Sequence, residues 1–324
     1  MSTAIETQLR HSDRNTGHHL RQRGVSLVEL MISMVIGLVL VGGAITVYVQ
    51  SGNTYRTSDK VARLQEVGRY ALDIVENDVR LAGMWSNTMF MPGGGGNITN
   101  SVADAIVSPN CGVNWVGDVT NYIDGRDNGA VLSATCTASD ATTASDALII
   151  RRSTVNTTAV DANKIQVQST RMAATIFSGA AIPIEFDPAK SVTSDLIVRA
   201  YYVTQASATA PFILKRRTLA GTAGAFTFNE EDVIPGIQDL QVQFGVDTDN
   251  DNQADQYVNP GAVAGRRIVS ARIWLLVVAD DPEADFQDAT VYAYANRDYG
   301  AAFTDQRRRV LLTKTIQIRN ARLL

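Results

Sequence analysis

From Val25 to Val49 the chain reads VSLVELMISMVIGLVLVGGAITVYV, twenty-five residues with one charge, Glu29. A helix of that length spans about 37 Å, enough to cross a hydrocarbon core of about 30 Å. Arg10, Arg14, Arg21, Arg23 and all three histidines (His11, His18, His19) precede it, which predicts a cytoplasmic N-terminus. The apolar run is too long for an ordinary secretory signal, and no Ala-x-Ala site stands before it. Glu29 is out of place in a simple anchor. A carboxylate in a spanning helix costs about 2.5–3.5 kcal/mol near the centre, less toward an end, and usually has a partner. Nothing basic lies within the run. A free α-amino group, made by cutting after Gly24, would supply that partner on the same helix or on a neighbouring copy.

The helical pattern continues beyond the apolar run. Val61, Leu64, Val67, Ala71, Leu72, Val75 and Val79 recur at steps of three and four, with charges such as Arg63, Glu66, Arg69, Asp73 and Glu76 between them. Gly83 and Pro92 end it, and no proline interrupts 25–91, so one helix of roughly fifty-five residues is expected. Its second half needs a core to lie on. Residues 84–145 read as a long irregular connection rich in Gly, Asn, Asp, Ser and Thr. Strand-like runs follow at Ala147–Arg151, Leu196–Thr204, Phe212–Thr218, Ile237–Val246, Ile268–Ala279 and Val310–Arg319. In the fifth of these, Val269, Ala271, Ile273, Leu275 and Val277 point one way. A long helix followed by an antiparallel sheet is an α+β domain with the helix packed on one face. The organisation expected is a leader over 1–24, a spanning helix over 25–50, its amphipathic continuation over 51–83 and a β-rich domain over 84–324.

Composition removes several function classes. The 324 residues are 45% apolar, enough for a sizeable core. Residues 1–24 carry a net +2, so the −4 of the whole chain becomes −6 beyond Gly24. An acidic body is a poor match to non-specific nucleic-acid binding. Once the leader is removed no histidine remains, which excludes Ser-His-Asp and Cys-His catalysis and histidine-ligated metal. Cys111 and Cys136 are the only cysteines. In an exported chain such a pair reads as one disulfide, worth about 3 kcal/mol for a loop of that size; two unpaired buried thiols are the alternative.

The stretch Arg23-Gly24-Val25-Ser26-Leu27-Val28-Glu29-Leu30 resembles the processing signal of type IV prepilins and type II secretion pseudopilins. Val233-Ile-Pro-Gly-Ile237, leading into Gln241–Asp247, and the ending Arg308–Asn320 resemble the PilW group of minor pilins. The likeness covers the N-terminal third and the last hundred residues; the middle, 84–190, matches nothing. It implies the pilin fold, peptidase cleavage after Gly24 and N-methylation of Val25, which departs from the commoner Phe. It also implies a role for Glu29 in neutralising a neighbour's N-terminus during assembly. The function implied is a structural, non-enzymatic subunit that helps initiate or cap a type IV pilus, supporting twitching motility and adhesion. Its partners would be other minor pilins, the major pilin, the prepilin peptidase/N-methyltransferase and the inner-membrane assembly platform. It would wait as a single-pass inner-membrane protein with a periplasmic C-terminal domain, and reach the cell surface in the pilus. Two alternatives stand beside this: a type II secretion pseudopilin, and a membrane-tethered periplasmic binding protein or hydrolase.

Other constellations are less specific. Pro92–Gly96 lacks the Lys-Ser or Lys-Thr of a phosphate loop and reads as a linker. Basic clusters at Arg151-Arg152, Lys215–Arg217, Arg266-Arg267 and Arg307–Arg309 read as solvated strand ends, with DNA capture as the alternative. Tyr201, Tyr202, Tyr292, Tyr294 and Tyr299 read as sheet and core residues. Asp247, Asp249, Asp251 and Asp255 occupy relative positions one, three, five and nine of an acidic loop, spacing that suits Ca²⁺. Asn252 stands where an EF-hand loop has Gly and tolerates the left-handed conformation, while Val258 replaces the bidentate Glu at position twelve. The alternative is a solvated Asp/Asn turn between two strands.

Overall fold

The computed structural model describes residues 24–323 apart from 89–96, 104–105, 109–110, 130, 134–135, 138–141, 143, 223 and 285. It divides into two compact units, Met1–Thr57 and Ser58–Leu324.

Helix α1 runs from Leu27 to Leu81, fifty-five residues, as the uninterrupted pattern predicts. Gly83 ends it at φ +72°, a left-handed conformation that glycine adopts without the Cβ penalty. In the first unit the helix is apolar and exposed, and several of its hydroxyls are satisfied within the helix. Ser33 Oγ donates to the Glu29 carbonyl at 2.7 Å, and Thr46 Oγ1 to that of Gly42 at 2.9 Å. Such back-bonding spares these two donors from standing unpaired against hydrocarbon.

In the second unit, α1 buries Leu64, Gly68, Ala71, Leu72, Val75, Asp78 and Val79. The strands are β1 (Asn97–Asn100), β2 (Ile123–Arg126), β3 (Val131–Ser133), β4 (Cys136–Thr137), β5 (Ala147–Ser153), β6 (Ile165–Ser169), β7 (Ala173–Ser178) and β8 (Val192–Thr204). Then come β9 (Ile213–Thr222), β10 (Ala225–Pro235), β11 (Ile237–Asp247), β12 (Gln256–Val258), β13 (Arg267–Val278), β14 (Ala293–Tyr294), β15 (Arg297–Asp298) and β16 (Arg309–Gln317). They form an eight-stranded sheet ordered β1-β7-β6-β8-β5-β2, with β9 on β8 and β10 on β9, a four-stranded sheet ordered β12-β11-β13-β16, and two two-stranded sheets, β3-β4 and β14-β15. One hydrophobic core runs beneath both, joining Leu64, Ala71 and Val75 of α1 to Ile149 and Val198 of the larger sheet and Leu240 and Leu275 of the smaller.

All six predicted strands are present, and Val269, Ala271, Ile273, Leu275 and Val277 are buried as one face of β13. Three features differ from the expectation. There are two large sheets and two small two-stranded ones instead of one, and β1 pairs with β7 in parallel. The segment 84–145 carries β1 to β4 and is not uniformly irregular. Finally, β6, β7 and β10 went unpredicted because polar pairing holds much of them. In β6, the buried Gln166 donates to the Ala159 carbonyl and Asp195, both at 2.9 Å, and Gln168 to Ser191 Oγ at 2.7 Å. Strand β10 meets β9 through cross-strand charges, Glu230 with Lys215 at 2.7 Å and Arg217 at 3.0 Å, and Glu231 with Arg216 at 2.6 Å. The apolar alternation that each does carry, Ile165/Val167 and Phe226/Phe228, spans only two positions and is too short to read.

Candidate functional site

The N-terminal site is built from local sequence alone. Gly24 and Val25 are exposed and precede the helix, whose first turn closes through a Leu30 N–H to Ser26 carbonyl bond of 3.1 Å. Glu29 lies in that turn, where the free N–H groups and the helix dipole favour a carboxylate. It is exposed, with no cation paired to it among the described residues. No residue of the apolar window is buried; Leu27, Leu30, Met34, Leu38 and Val41 all stand more than half exposed. This is a surface that requires lipid or other helices around it. The leader, residues 1–23, lies outside the described residues, as does all of Pro92–Gly96.

The acidic loop joins β11 to β12. Asp247, Asp249 and Asp255 each bring a carboxylate oxygen within 4.8 Å of the others. Asp251 does not join them, because its carboxylate accepts the Gln253 N–H at 2.7 Å and Gln253 Nε2 at 2.9 Å. The predicted set of four is therefore a set of three. Asn252 has φ +68° and Asn250 φ +67°, the left-handed turn that the sequence allowed. The loop also satisfies itself. Asp247 accepts the N–H groups of Asn250 (2.6 Å) and Asn252 (2.9 Å) and pairs with Arg267. Asp255 accepts the Thr248 N–H and hydroxyl, both at 2.6 Å. Burial would raise the Asp247 carboxyl, but Arg267 and the two N–H groups outweigh it and hold it below the usual range. Oxygen donors of this kind fit a hard cation such as Ca²⁺, which would have to displace Arg267 from one of them.

Cys111 and Cys136 are bonded, closing a loop across a separation of 25 residues. The basic clusters are not solvated strand ends throughout. Arg151 is buried within β5 and donates to the carbonyls of Trp115 (2.7 Å) and Asn121 (2.6 Å). Burial pulls its guanidinium down to about 10. Lys215, Arg216 and Arg217 are spent on β10 carboxylates. Charges consumed this way are poor phosphate ligands. Tyr201, Tyr202, Tyr292 and Tyr294 are buried, as predicted, and Tyr299 packs beside the last two.

Several buried carboxylates escaped the sequence reading, Asp78 and Asp146 foremost. Asp78 faces inward from α1, accepting Arg152 Nε and Nη2 (3.1 and 2.8 Å), Arg199 Nη1 (2.9 Å) and the Tyr201 hydroxyl (2.5 Å). Its burial raises the carboxyl, but these donors more than offset that and leave it below its ordinary value. The signal was available, since Asp78 falls three residues after Val75 on the apolar stripe. Asp146 lies at the seam of the two sheets, accepting the N–H groups of Asn128 and Val242, both at 2.8 Å. Burial, with Asp127 and Asp239 nearby, pushes it up to about 7 against those two bonds. Nothing local in the sequence marks it.

Comparison with known proteins bears on the same regions. Residues 200–320 match the family described as Type IV Pilus-assembly protein W, and residues 19–45 match the prokaryotic N-terminal methylation motif. No curated protein matches the chain. Among solved structures, the type IV-like pilin TTHA1219 from Thermus thermophilus is similar at 10% identity and a TM-score of 0.36, over 82% of this chain and 97% of that one. That likeness is too distant to carry weight. The matched regions hold the apolar helix with Glu29 and the strands from the end of β8 to β16. Over residues 200–320 the chain is similar to the PilW family of type IV pilus-assembly proteins, and over residues 19–45 it matches the N-terminal methylation motif.

Proposed function

We propose that this protein is a minor pilin that primes or caps a type IV pilus, acting by lateral assembly and not by catalysis. The observation that carries the reading is a fully exposed apolar helix with Glu29 in its first turn, five residues after Gly24. Cleavage after Gly24 leaves Val25 with a free amino group, which methylation keeps cationic. Glu29 of one subunit then meets the N-terminus of the next inside the helix bundle, where water no longer screens the attraction. The helices pack by van der Waals contact, and the periplasmic domains of Ser58–Leu324 set the order of partners. In this reading the peptidase, the assembly platform, the other minor pilins and the major pilin are the partners, and motility and adhesion follow from assembly.

Glu29→Ala tests the mechanism. Removing a carboxylate from the apolar run lowers the cost of insertion, so the mutant should reach the membrane at native levels. It should be processed to begin at methylated Val25, which mass spectrometry reads, while piliation and twitching fall. Normal piliation at native expression sinks the pairing mechanism, and an intact Met1 in assembled pili sinks the reading as a whole.

We also assign weak calcium binding to the 247–255 loop, on the convergence of the Asp247, Asp249 and Asp255 carboxylates. Affinity should be roughly 10⁻⁴–10⁻³ M, as in extracellular modules. Millimolar Ca²⁺ should raise the melting temperature of the wild type but not of an Asp249→Ala/Asp255→Ala double mutant. An equal response from both removes the assignment.

A further inference from the structure

Strand β16 is an open sheet edge without the usual protection. It pairs with β13 over nine consecutive positions, from Ser270 opposite Gln317 to Val278 opposite Arg309, with no register break. No strand pairs with its other side among the described residues. The Ile318 N–H donates to the Val269 carbonyl at 3.0 Å, and the Ala279 N–H to that of Arg308 at 2.9 Å. Main-chain direction alternates in an antiparallel ladder, so the even-numbered residues of β16 address β13. Leu311, Thr313, Thr315 and Gln317 therefore turn their N–H and carbonyl groups outward. The side chains of Thr313, Thr315 and Gln317 are exposed.

Natural edges are guarded by charge, proline, bulges or shortness. Strand β10 has all but the last: Glu230, Glu231, Asp232, a register shift between Asp232 and Ile234, and Pro235. Strands β1, β2 and β12 have four residues or fewer. In contrast, β16 has neither Pro nor Gly, and its one lysine is unavailable as a guard. Lys314 turns toward α1, pairing with Asp73 at 2.9 Å and with Glu76.

The ends of the edge say what would cover it. Arg307 and Arg319 flank β16, and neither guanidinium forms an ion pair among the described residues, although the Arg307 N–H donates to Asp305 at 3.3 Å and the Arg319 N–H to the Arg80 carbonyl at 3.2 Å; Arg272 lies beside Thr315, donating to its hydroxyl at 3.2 Å. Two copies paired edge to edge about Thr313 would set Arg307 of each against Arg319 of the other, and like charges placed opposite one another are destabilising. We infer that β16 receives an extended strand from a different protein, one carrying carboxylates at its ends, which adds a fifth strand to the β12-β11-β13-β16 sheet. Main-chain bonds to Leu311, Thr313, Thr315 and Gln317 supply the affinity, and the flanking arginines select the acidic partner. The edge is a property of Ser58–Leu324 and does not depend on the pilus reading.

Amide hydrogen exchange on the full chain in detergent tests this, with a short alternating Val-Thr peptide ending in aspartate at both termini as the probe. In the free protein the amides of Leu311, Thr313, Thr315 and Gln317 should exchange at least about tenfold faster than those of Leu312, Lys314 and Ile316. The peptide should slow the odd-numbered set by about tenfold. The same peptide with N-methylated alternate amides, or with lysine ends, should not. Thr313→Pro removes an outward N–H without touching the ladder to β13, and should abolish the protection. Thr315→Lys gives an independent check if that variant folds poorly. Slow exchange of the odd set in the free chain overturns the inference. So does equal protection by the N-methylated peptide, or protection that rises with protein concentration alone, which would mean a second copy is the occupant.

Discussion

Single residues set the pH response of this fold, and two aspartates pull it in opposite directions. Asp78, held below its ordinary value by Tyr201, Arg199 and Arg152 despite burial, contributes stability at neutral pH that is lost as pH falls through its folded value. Asp146, raised to about 7, binds a proton in the folded state that the unfolded chain has already released above about pH 4. Its contribution is therefore greatest below the unfolded value and shrinks as pH rises from about 4 to about 7. The size of that loss is on the order of 4 kcal/mol. Urea unfolding of wild type and Asp146→Asn at pH 5 and pH 7.5 reads it directly. The gap between the two proteins should narrow or reverse toward pH 7.5, and a constant gap would show that Asp146 does not titrate in this range. Neither role could be read from composition. Asp78 was at least visible as a break in an apolar stripe, whereas Asp146 depends on β11 arriving at the mouth of β5.

At the scale of elements, the contact between α1 and the smaller sheet turns on Gly68. A Cβ there would meet Leu312 Cδ1 at 2.2 Å and Val277 Cγ2 at 2.8 Å, so the helix approaches β13 and β16 where it has no side chain. Gly68→Ile should destabilise the protein by about 1–3 kcal/mol through overpacking, although glycine is a poor helix former. The midpoint of chemical unfolding measures this, and an unchanged or raised midpoint would mean the contact is looser than described. The helix itself was legible throughout. Its apolar run, its stripe from Val61 to Val79 and its stop at Gly83 are all local signals. The six apolar strands were legible for the same reason. What could not be read were β6 and β10, held by buried glutamines and by charge pairs whose partners lie on other strands.

At the scale of the whole molecule, one core beneath two sheets makes Ser58–Leu324 a single cooperative body. Asp78 joins three of its elements, accepting Arg152 of β5 and Arg199 and Tyr201 of β8 from its place on α1. Asp78→Ala leaves the buried Arg152 and the half-buried Arg199 guanidinium groups without their carboxylate, and should cost about 3–5 kcal/mol. Far-ultraviolet and near-ultraviolet signals of the mutant should still fall together on heating, since both sheets share that core. Separated transitions would instead divide the sheets into independent folding units.

The sequence by itself determined the parts of this protein whose physics is local. The apolar run and Glu29 declare a helix that seeks a membrane or a bundle, whatever the rest of the chain does. The Gly24 signal and the PilW-like ending carry the resemblance to type IV pilus-assembly proteins without any fold. Tertiary structure alone decided how many sheets there are, that β1 runs parallel to β7, and that Arg151 and the Lys215–Arg217 cluster are consumed inside the protein. It also decided that Asp251 turns away from its neighbours and that β16 is left as an open edge. Each of these depends on which strand lies beside which, and pairing between residues far apart in the chain leaves no periodic trace in either one.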